Sequence, residues 1–258
     1  MPGSNNDEYS VHLCTSAAQL RQAHRVRCEV FVTEQGYGLE EEVDQYDPVS
    51  AHFVLVHKGD PSNAVGVVRL VPYPLPIPKQ DPDGVEPNSK DFPLGGSQSE
   101  SSTASHFVSA VFGTNSSQRD AAHDPTLTDA EEKRTEDLIP NLGGAKLGRL
   151  AVLKEARGKG LAQRLVREAE AWLINVIAHH TGEREGAFGP PDHDNQTKGD
   201  SLGKHQKVQS ILIKISSQEY IQQLYKKMEY SAVGDVYLEE GQPHVLMYKE
   251  LVLNAKSP

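Results

Sequence analysis

Arg157-Gly-Lys-Gly-Leu-Ala162 carries the clearest chemistry in the chain. It lies between an apolar run ending at Leu153 and an amphipathic run beginning near Gly160, so it joins a strand to a helix. A helix N-terminus leaves about four backbone N–H groups without intrahelical partners, and glycines let the oxygens of an anion approach them. Arg157 and Lys159 add positive side chains, and the segment is an anion site suited to phosphate. Gly-x-x-x-x-Gly-Lys-Ser/Thr is missing, and Gly158-Lys-Gly-Leu-Ala-Gln163 does not complete Gly-x-Gly-x-x-Gly. Mononucleotide hydrolysis and dinucleotide binding are therefore disfavoured.

Other chemistries find less support. No Gly-x-Ser-x-Gly elbow is present for a serine nucleophile. Cys14 and Cys28 lack metal spacing and read as small apolar groups, and two cysteines in the whole chain favour a reducing, cytoplasmic compartment. His179, His180, His193, Asp194 and His205 fit no recognised ligand set, so no metal is expected. Glu34, Glu40, Glu41, Glu42, Asp44 and Asp47 form an acidic run, which is as readily a solvated face as a binding site. With 26 Lys plus Arg against 36 Asp plus Glu, the net charge of −10 disfavours nucleic acid and anionic membranes as partners. There is no apolar leader and no apolar stretch long enough to span a bilayer.

The elements that must position these groups follow from periodicity. Val11–Thr15 reads as a strand, and Ser16 caps a helix whose Ala17, Leu20, Ala23, Val26, Val30 and Phe31 share one face. His52–His57 and Ala64–Val71 form a hairpin around the turn residues 58–63. Lys146–Leu153 is the strand before the anion loop. After the loop, Leu161, Leu165, Val166, Ala169, Trp172, Leu173 and Val176 line the core face of a helix. Val208–Ile215 is a fully buried strand, Gln218–Met228 a helix, and Ser231–Leu238 with His244–Leu253 an antiparallel pair that is either a sheet edge or a homodimer contact. The class is α/β (α+β): a mixed, mostly antiparallel sheet of about six or seven strands flanked by helices.

Two polar stretches interrupt this pattern. Residues 73–141 hold half of the chain's 16 prolines together with serine-rich tracts, and residues 181–206 contain Gly189-Pro-Pro191 and scarcely an apolar side chain. Both read as insertions, with Ser105–Phe112 a short ordered piece and Asp129–Leu138 an exposed helix inside the first. What remains suffices for one domain over 1–258.

The spacing Arg157-x-x-Gly160-x-Ala162 after a strand resembles the pyrophosphate loop of the GNAT superfamily of N-acetyltransferases. The resemblance extends, in order, through Arg27-Cys-Glu-Val-Phe-Val-Thr-Glu-Gln35, Gly148-Arg-Leu-Ala-Val152, Leu224-Tyr-Lys-Lys-Met-Glu-Tyr230 and Val236-Tyr-Leu-Glu-Glu-Gly-Gln-Pro-His-Val-Leu-Met247, and is closest to the ElaA-like branch. It implies a sheet whose parallel fourth and fifth strands splay apart, with acetyl-CoA as co-substrate. Backbone groups of Leu150, Ala151 and Val152 would pair with pantetheine, and Arg157, Gly158, Lys159, Gly160, Leu161 and Ala162 would hold the pyrophosphate. Tyr225 falls at the general-acid position. Glu34 is the candidate base, and Glu42, Asp44 and His52 are acceptor ligands that favour a small cationic amine such as an amino sugar or polyamine. Two departures stand out: Ser216-Ser217 where relatives often have Ala-Gln, and Glu229-Tyr230 in place of Gly-Phe. A non-catalytic acyl-CoA sensor or scaffold is the competing class.

Overall fold

The computed structural model describes residues 5–44, 46–73, 99–112, 143–186, 210–239 and 241–253. Seven strands form one sheet: β1 (Tyr9–Leu13), β2 (Ala51–His57), β3 (Asp60–Tyr73), β4 (Gly144–Val152), β5 (Ser210–Gln218), β6 (Ser231–Glu239) and β7 (Gln242–Val252). Their spatial order is β1-β2-β3-β4-β5-β7-β6, and every neighbouring pair is antiparallel except β4–β5. The β2–β3 turn is tighter than the residues 58–63 expected, because Asp60 already pairs with His57. β6 remains the outer edge, with Val236 and Leu238 exposed.

The parallel pair is brief. Gly144, Ala145 and Lys146 pair with Leu212, Ile213 and Lys214, and no β4–β5 pairing continues beyond them. Gly144 makes the close approach possible, since a Cβ there would lie 2.0 Å from the Leu212 carbonyl oxygen. From Leu147 onward β4 stays with β3 while β5 follows β7 as far as Gln218. The two strands therefore diverge at the end where the anion loop begins.

Helices cover both faces. On one, α1 (Ala17–Arg27) buries Leu20, Ala23 and Val26 against Val54, Val56, Ala64 and Val67. Ser16 caps it by accepting from Gln19 N–H at 3.3 Å, while Gln19 Oε1 accepts from Thr15 N–H at 2.9 Å. The helical pattern continues to Glu34, but residues 28–34 are wound as a π-helix, shown by Gln35 N–H reaching the Val30 carbonyl. Gly36, at φ +81°, ends it, and α2 (Leu39–Glu42) follows.

On the other face, α3 (Glu100–Phe112) and α4 (Leu161–Gly186) share the main core. Trp172 of α4 meets Phe107 and Phe53 edge-on at centroid distances of 5.3 and 5.6 Å. The ordered piece of the first polar stretch is thus a core helix, longer than Ser105–Phe112, because Phe107, Val108 and Val111 recur at helical spacing. The candidate helix 129–138 lies outside the described residues. Helix α4 runs six residues into the stretch expected to be a loop. Glu183, Arg184 and Glu185 are good helix formers, and the first strong breakers are Gly189-Pro-Pro191. After β5, a 3₁₀ turn (Glu219–Ile221) and α5 (Gln222–Lys226) replace the single helix expected over 218–228.

Candidate functional site

The divergence of β4 and β5 opens beside the N-terminus of α4. Gly160 accepts from Arg164 N–H at 3.2 Å, so it caps the helix and leaves the first N–H groups of α4 without intrahelical acceptors. Gly158 and Gly160 adopt φ +78° and +72°, a backbone that a side chain would strain. Loop residues Arg157–Gly160 are exposed and the following helix is anchored by buried Leu161 and Leu165. The loop has the backbone conformation that the glycines imply, and its two cations are held by partners within the protein. Arg157 Nε donates to the Val152 carbonyl at 2.8 Å and its Nη2 to Glu34 Oε2 at 2.6 Å. Lys159 Nζ donates to the Tyr9 hydroxyl at 3.0 Å. The arginine braces the loop, and its charge is matched by Glu34. A groove of about 690 Å³ beside this pair is lined by Arg25, Glu29, Glu34, Leu153, Lys154, Glu155 and Arg157.

Leu150, Ala151 and Val152 occupy the diverging part of β4. Val152 and Ala151 pair with Gly66 and Val67 of β3, and a bulge opposite Val68 puts Arg149 at φ +51°. Among the described residues, no strand pairs with the β5-facing edge of this segment.

Tyr225 lies on α5, 2% exposed, with its ring edge-on to Tyr230 at 5.7 Å. Burial, with a smaller push from Tyr220, raises its phenol above the ordinary value of 10. It therefore keeps its proton at neutral pH. Tyr220 is exposed.

Glu42, Asp44 and His52, expected to contact an acceptor, sit instead in a compensated charge network. Arg27, 1% exposed, donates Nε to Glu42 and Nη1 to Asp47 Oδ1 at 2.6 Å. Arg69 holds Asp44 through two bonds of 2.8 and 2.7 Å and lies 3.0 Å from Asp47. Arg149 comes within 3.6 Å of both Glu42 and Asp44. Three carboxylates face three guanidiniums, so Glu42 and Asp44 offer no net attraction for a cationic acceptor, and that expectation is corrected. Burial alone would raise the Asp47 carboxyl, but Arg27 and Arg69 outweigh it and hold it well below 3.8. His52 is inside this network rather than at a mouth, with Nε2 at 3.0 Å from the Asp47 carbonyl oxygen. Burial brings its imidazole down to about 4, against the pull of Asp47.

Arg27, Arg69 and Arg149 escaped the sequence reading because they come from α1, β3 and β4 and share no local pattern. Only Arg27 and Arg149 had a signal, each lying in a family-like segment. Cys14 is buried in the α1 core as expected, whereas Cys28 is only partly buried, with Sγ 3.2 Å from His24 Nε2; burial raises both thiols. His180 stacks on Phe112 at 5.5 Å, and no group of three metal-ligating side chains occurs among the described residues. His193, Asp194 and His205 lie outside them. Among the described residues, no helix is long and apolar enough to cross a membrane.

Known families match two segments of the chain, one of which includes β4 and the anion loop. The acetyltransferase (GNAT) domain matches residues 26–78, and the acetyltransferase (GNAT) family matches residues 136–182. A UPF0039 protein of Schizosaccharomyces pombe is 33% identical over 108 residues, covering 41% of this chain and 69% of the relative. The crystal structure of Escherichia coli ElaA covers 94% of this chain and 98% of its own at 16% identity and a TM-score of 0.46. An acyl-CoA N-acyltransferase from Pseudomonas aeruginosa covers 93% of this chain and 97% of its own at 17% identity and a TM-score of 0.44. The chain belongs to the GNAT superfamily. That membership makes it an acyl-CoA-dependent acyltransferase by class.

Proposed function

We propose that this protein is an N-acetyltransferase that passes the acetyl group of acetyl-CoA to the primary amine of a small acceptor, by direct attack within a ternary complex. The observation that carries this reading is the divergence of β4 and β5 after three residue pairs, with the Arg157–Ala162 loop and the N-terminus of α4 at its open end. The unpaired edge of Leu150–Val152 suits the amides of a pantetheine arm, and the N–H groups of the loop suit its pyrophosphate. Tyr225, protonated and on the helix that follows β5, is suited to donating a proton to the departing thiolate. Lys159 supplies charge near the phosphates, while Arg157 keeps the loop in place. A small amine fits better than a peptide of acidic character, given the net charge of −10.

The test is release of free thiol from acetyl-CoA in the presence of sugars, polyamines, arylamines and peptides bearing free amines. Thiol release that depends on one of these amines supports the reading. Tight CoA binding without turnover across the panel overturns it in favour of a sensor or scaffold.

A further inference from the structure

Ser216 stands two residues beyond Lys214, the last residue of β5 that pairs with β4, and so lies on the wall of the opening. Ile211, Ile213 and Ile215 point into the core shared with α4, which turns Leu212, Lys214, Ser216 and Gln218 to the opposite face. The segment after the π-helix approaches that face, where Gln218 Nε2 donates to the Tyr37 hydroxyl at 2.9 Å. The β6 strand sets two side chains against Ser216 there. The Ser216 hydroxyl lies 2.5 Å from the Tyr237 hydroxyl and donates to Glu239 Oε2, and Tyr237 donates to the same oxygen at 3.3 Å. One carboxylate oxygen is thus fixed by two hydroxyls, and the other takes no hydrogen bond from the described residues.

The charge balance of Glu239 differs from that of Glu34 and of the buried carboxylates Glu42, Asp44 and Asp47. Glu34 is paired with Arg157, Asp44 and Asp47 with Arg69, and Glu42 with Arg27. Among the described residues Glu239 has no cationic partner. Lys214, on the same face of β5, directs its ammonium onto the Tyr73 ring, 3.9 Å from the centroid. A half-buried carboxylate, oriented by neutral donors and without a counter-ion, is suited to capturing an ammonium group.

We propose that Glu239, oriented by Ser216 and Tyr237, binds the acceptor's ammonium group and takes its first proton. This rests on the N-acetyltransferase reading above. The ammonium N–H bond breaks toward Glu239, and the freed lone pair forms the C–N bond at the thioester carbonyl. The C–S bond then breaks, and the thiolate takes the Tyr225 proton. The phenolate recovers a proton from the amide nitrogen, and Glu239 releases its own to solvent. The balance is one amide, one thiol and one proton from an ammonium ion and a thioester.

The experiment uses the full chain, with spermidine, glucosamine and tyramine as probes. Amine binding to the CoA-saturated protein is followed by calorimetry, and turnover of acetyl-CoA by thiol release. Glu239→Gln is expected to weaken binding of an accepted amine about 10-fold. It should lower kcat/KM for that amine about 100-fold, with CoA affinity unchanged. Ser216→Ala should lower kcat/KM by about 3-fold to 10-fold, as loss of one orienting hydrogen bond to a charged group implies. If Glu239→Gln loses CoA affinity through misfolding, Glu239→Asp and Ser216→Ala decide the matter in its place. Amine-dependent turnover that none of these changes removes Glu239 and leaves the acetyltransferase reading standing. Glu239-dependent amine binding without turnover does the reverse. Absence of both binding and turnover with all three amines overturns both.

Discussion

Glu34 Oε2 accepts from Arg157 Nη2 at 2.6 Å, so the last residue of the π-helix and the first residue of the anion loop form an ion pair across 123 positions of sequence. The same arginine holds the Val152 carbonyl, and the loop is tied at once to the end of β4 and to the segment after α1. Both partners are partly solvated, with 43% and 27% of their side chains exposed, so the pair matters more for where the loop sits than for global stability.

Charge reversal tests this bracing. Arg157→Glu places a second carboxylate against Glu34 and removes the bond to Val152. CoA affinity should fall about 10-fold or more, as loss of a charge-assisted contact with added like-charge repulsion implies. Adding Glu34→Arg should restore part of the affinity by re-forming the pair in reverse. Calorimetry with CoA on the two variants checks it, and an unchanged affinity in Arg157→Glu would detach the loop from CoA binding.

The His52 environment sets an acid limit on stability. Its folded value, about 4, lies below the ordinary 6.5, so the unfolded chain binds the proton first as pH falls. The stability it contributes is complete above about 6.5 and is lost as pH drops from 6.5 toward 4, by at most about 3 kcal/mol. Burial lowers His24 as well, adding to the same window, whereas the depressed Asp47 carboxyl makes its contribution to acid unfolding only below 3.8. Urea unfolding at pH 7 and pH 4.5 should show a smaller stability difference in His52→Gln than in the wild type.

What could be read from the residues was local. Leu161, Leu165, Ala169, Trp172 and Leu173 mark the α4 core face by spacing alone, and the glycines at 158 and 160 announce a loop that needs positive φ. The π-helix was hidden because Val30 and Phe31 continue the α1 pattern, and periodicity does not report whether a carbonyl is reached from four or five residues ahead. The charge network was hidden for another reason: Arg27, Arg69 and Arg149 meet Glu42, Asp44 and Asp47 only after four elements have packed, which converted an apparent acidic face into a neutral interior. Ser216, Tyr237 and Glu239 were likewise joined by the pairing of β5, β7 and β6, although Ser216 was visible as a departure from the family pattern.

Glu229 holds a backbone conformation that favours glycine. It follows α5 at φ +70°, in the turn where Tyr230 N–H reaches back to the Tyr225 carbonyl at 3.1 Å. A side chain in this conformation costs about 1 kcal/mol relative to glycine, and its nearest charge, Lys249, is 3.9 Å away from a side chain that is 86% exposed. Glu229→Gly should raise the urea midpoint without altering the slope of the transition. A lower midpoint would show that the carboxylate stabilises the turn by more than the backbone strain removes.

Tyr225→Phe separates packing from proton donation. The ring is buried against Tyr230 and its hydroxyl makes no hydrogen bond to the described residues, so phenylalanine preserves the packing and leaves no polar group unpaired. Folding and CoA affinity should be unchanged. If the phenol protonates the thiolate, kcat should fall about 100-fold while KM for acetyl-CoA stays within about 2-fold. Because burial raises the phenol above 10, Tyr225 stays protonated through pH 9, and wild-type kcat should show no basic limb from this group up to that pH. A kcat in Tyr225→Phe equal to the wild type would mean that the thiolate departs with its proton drawn from water, and that Tyr225 is held at this position only to fill the core beneath the opening.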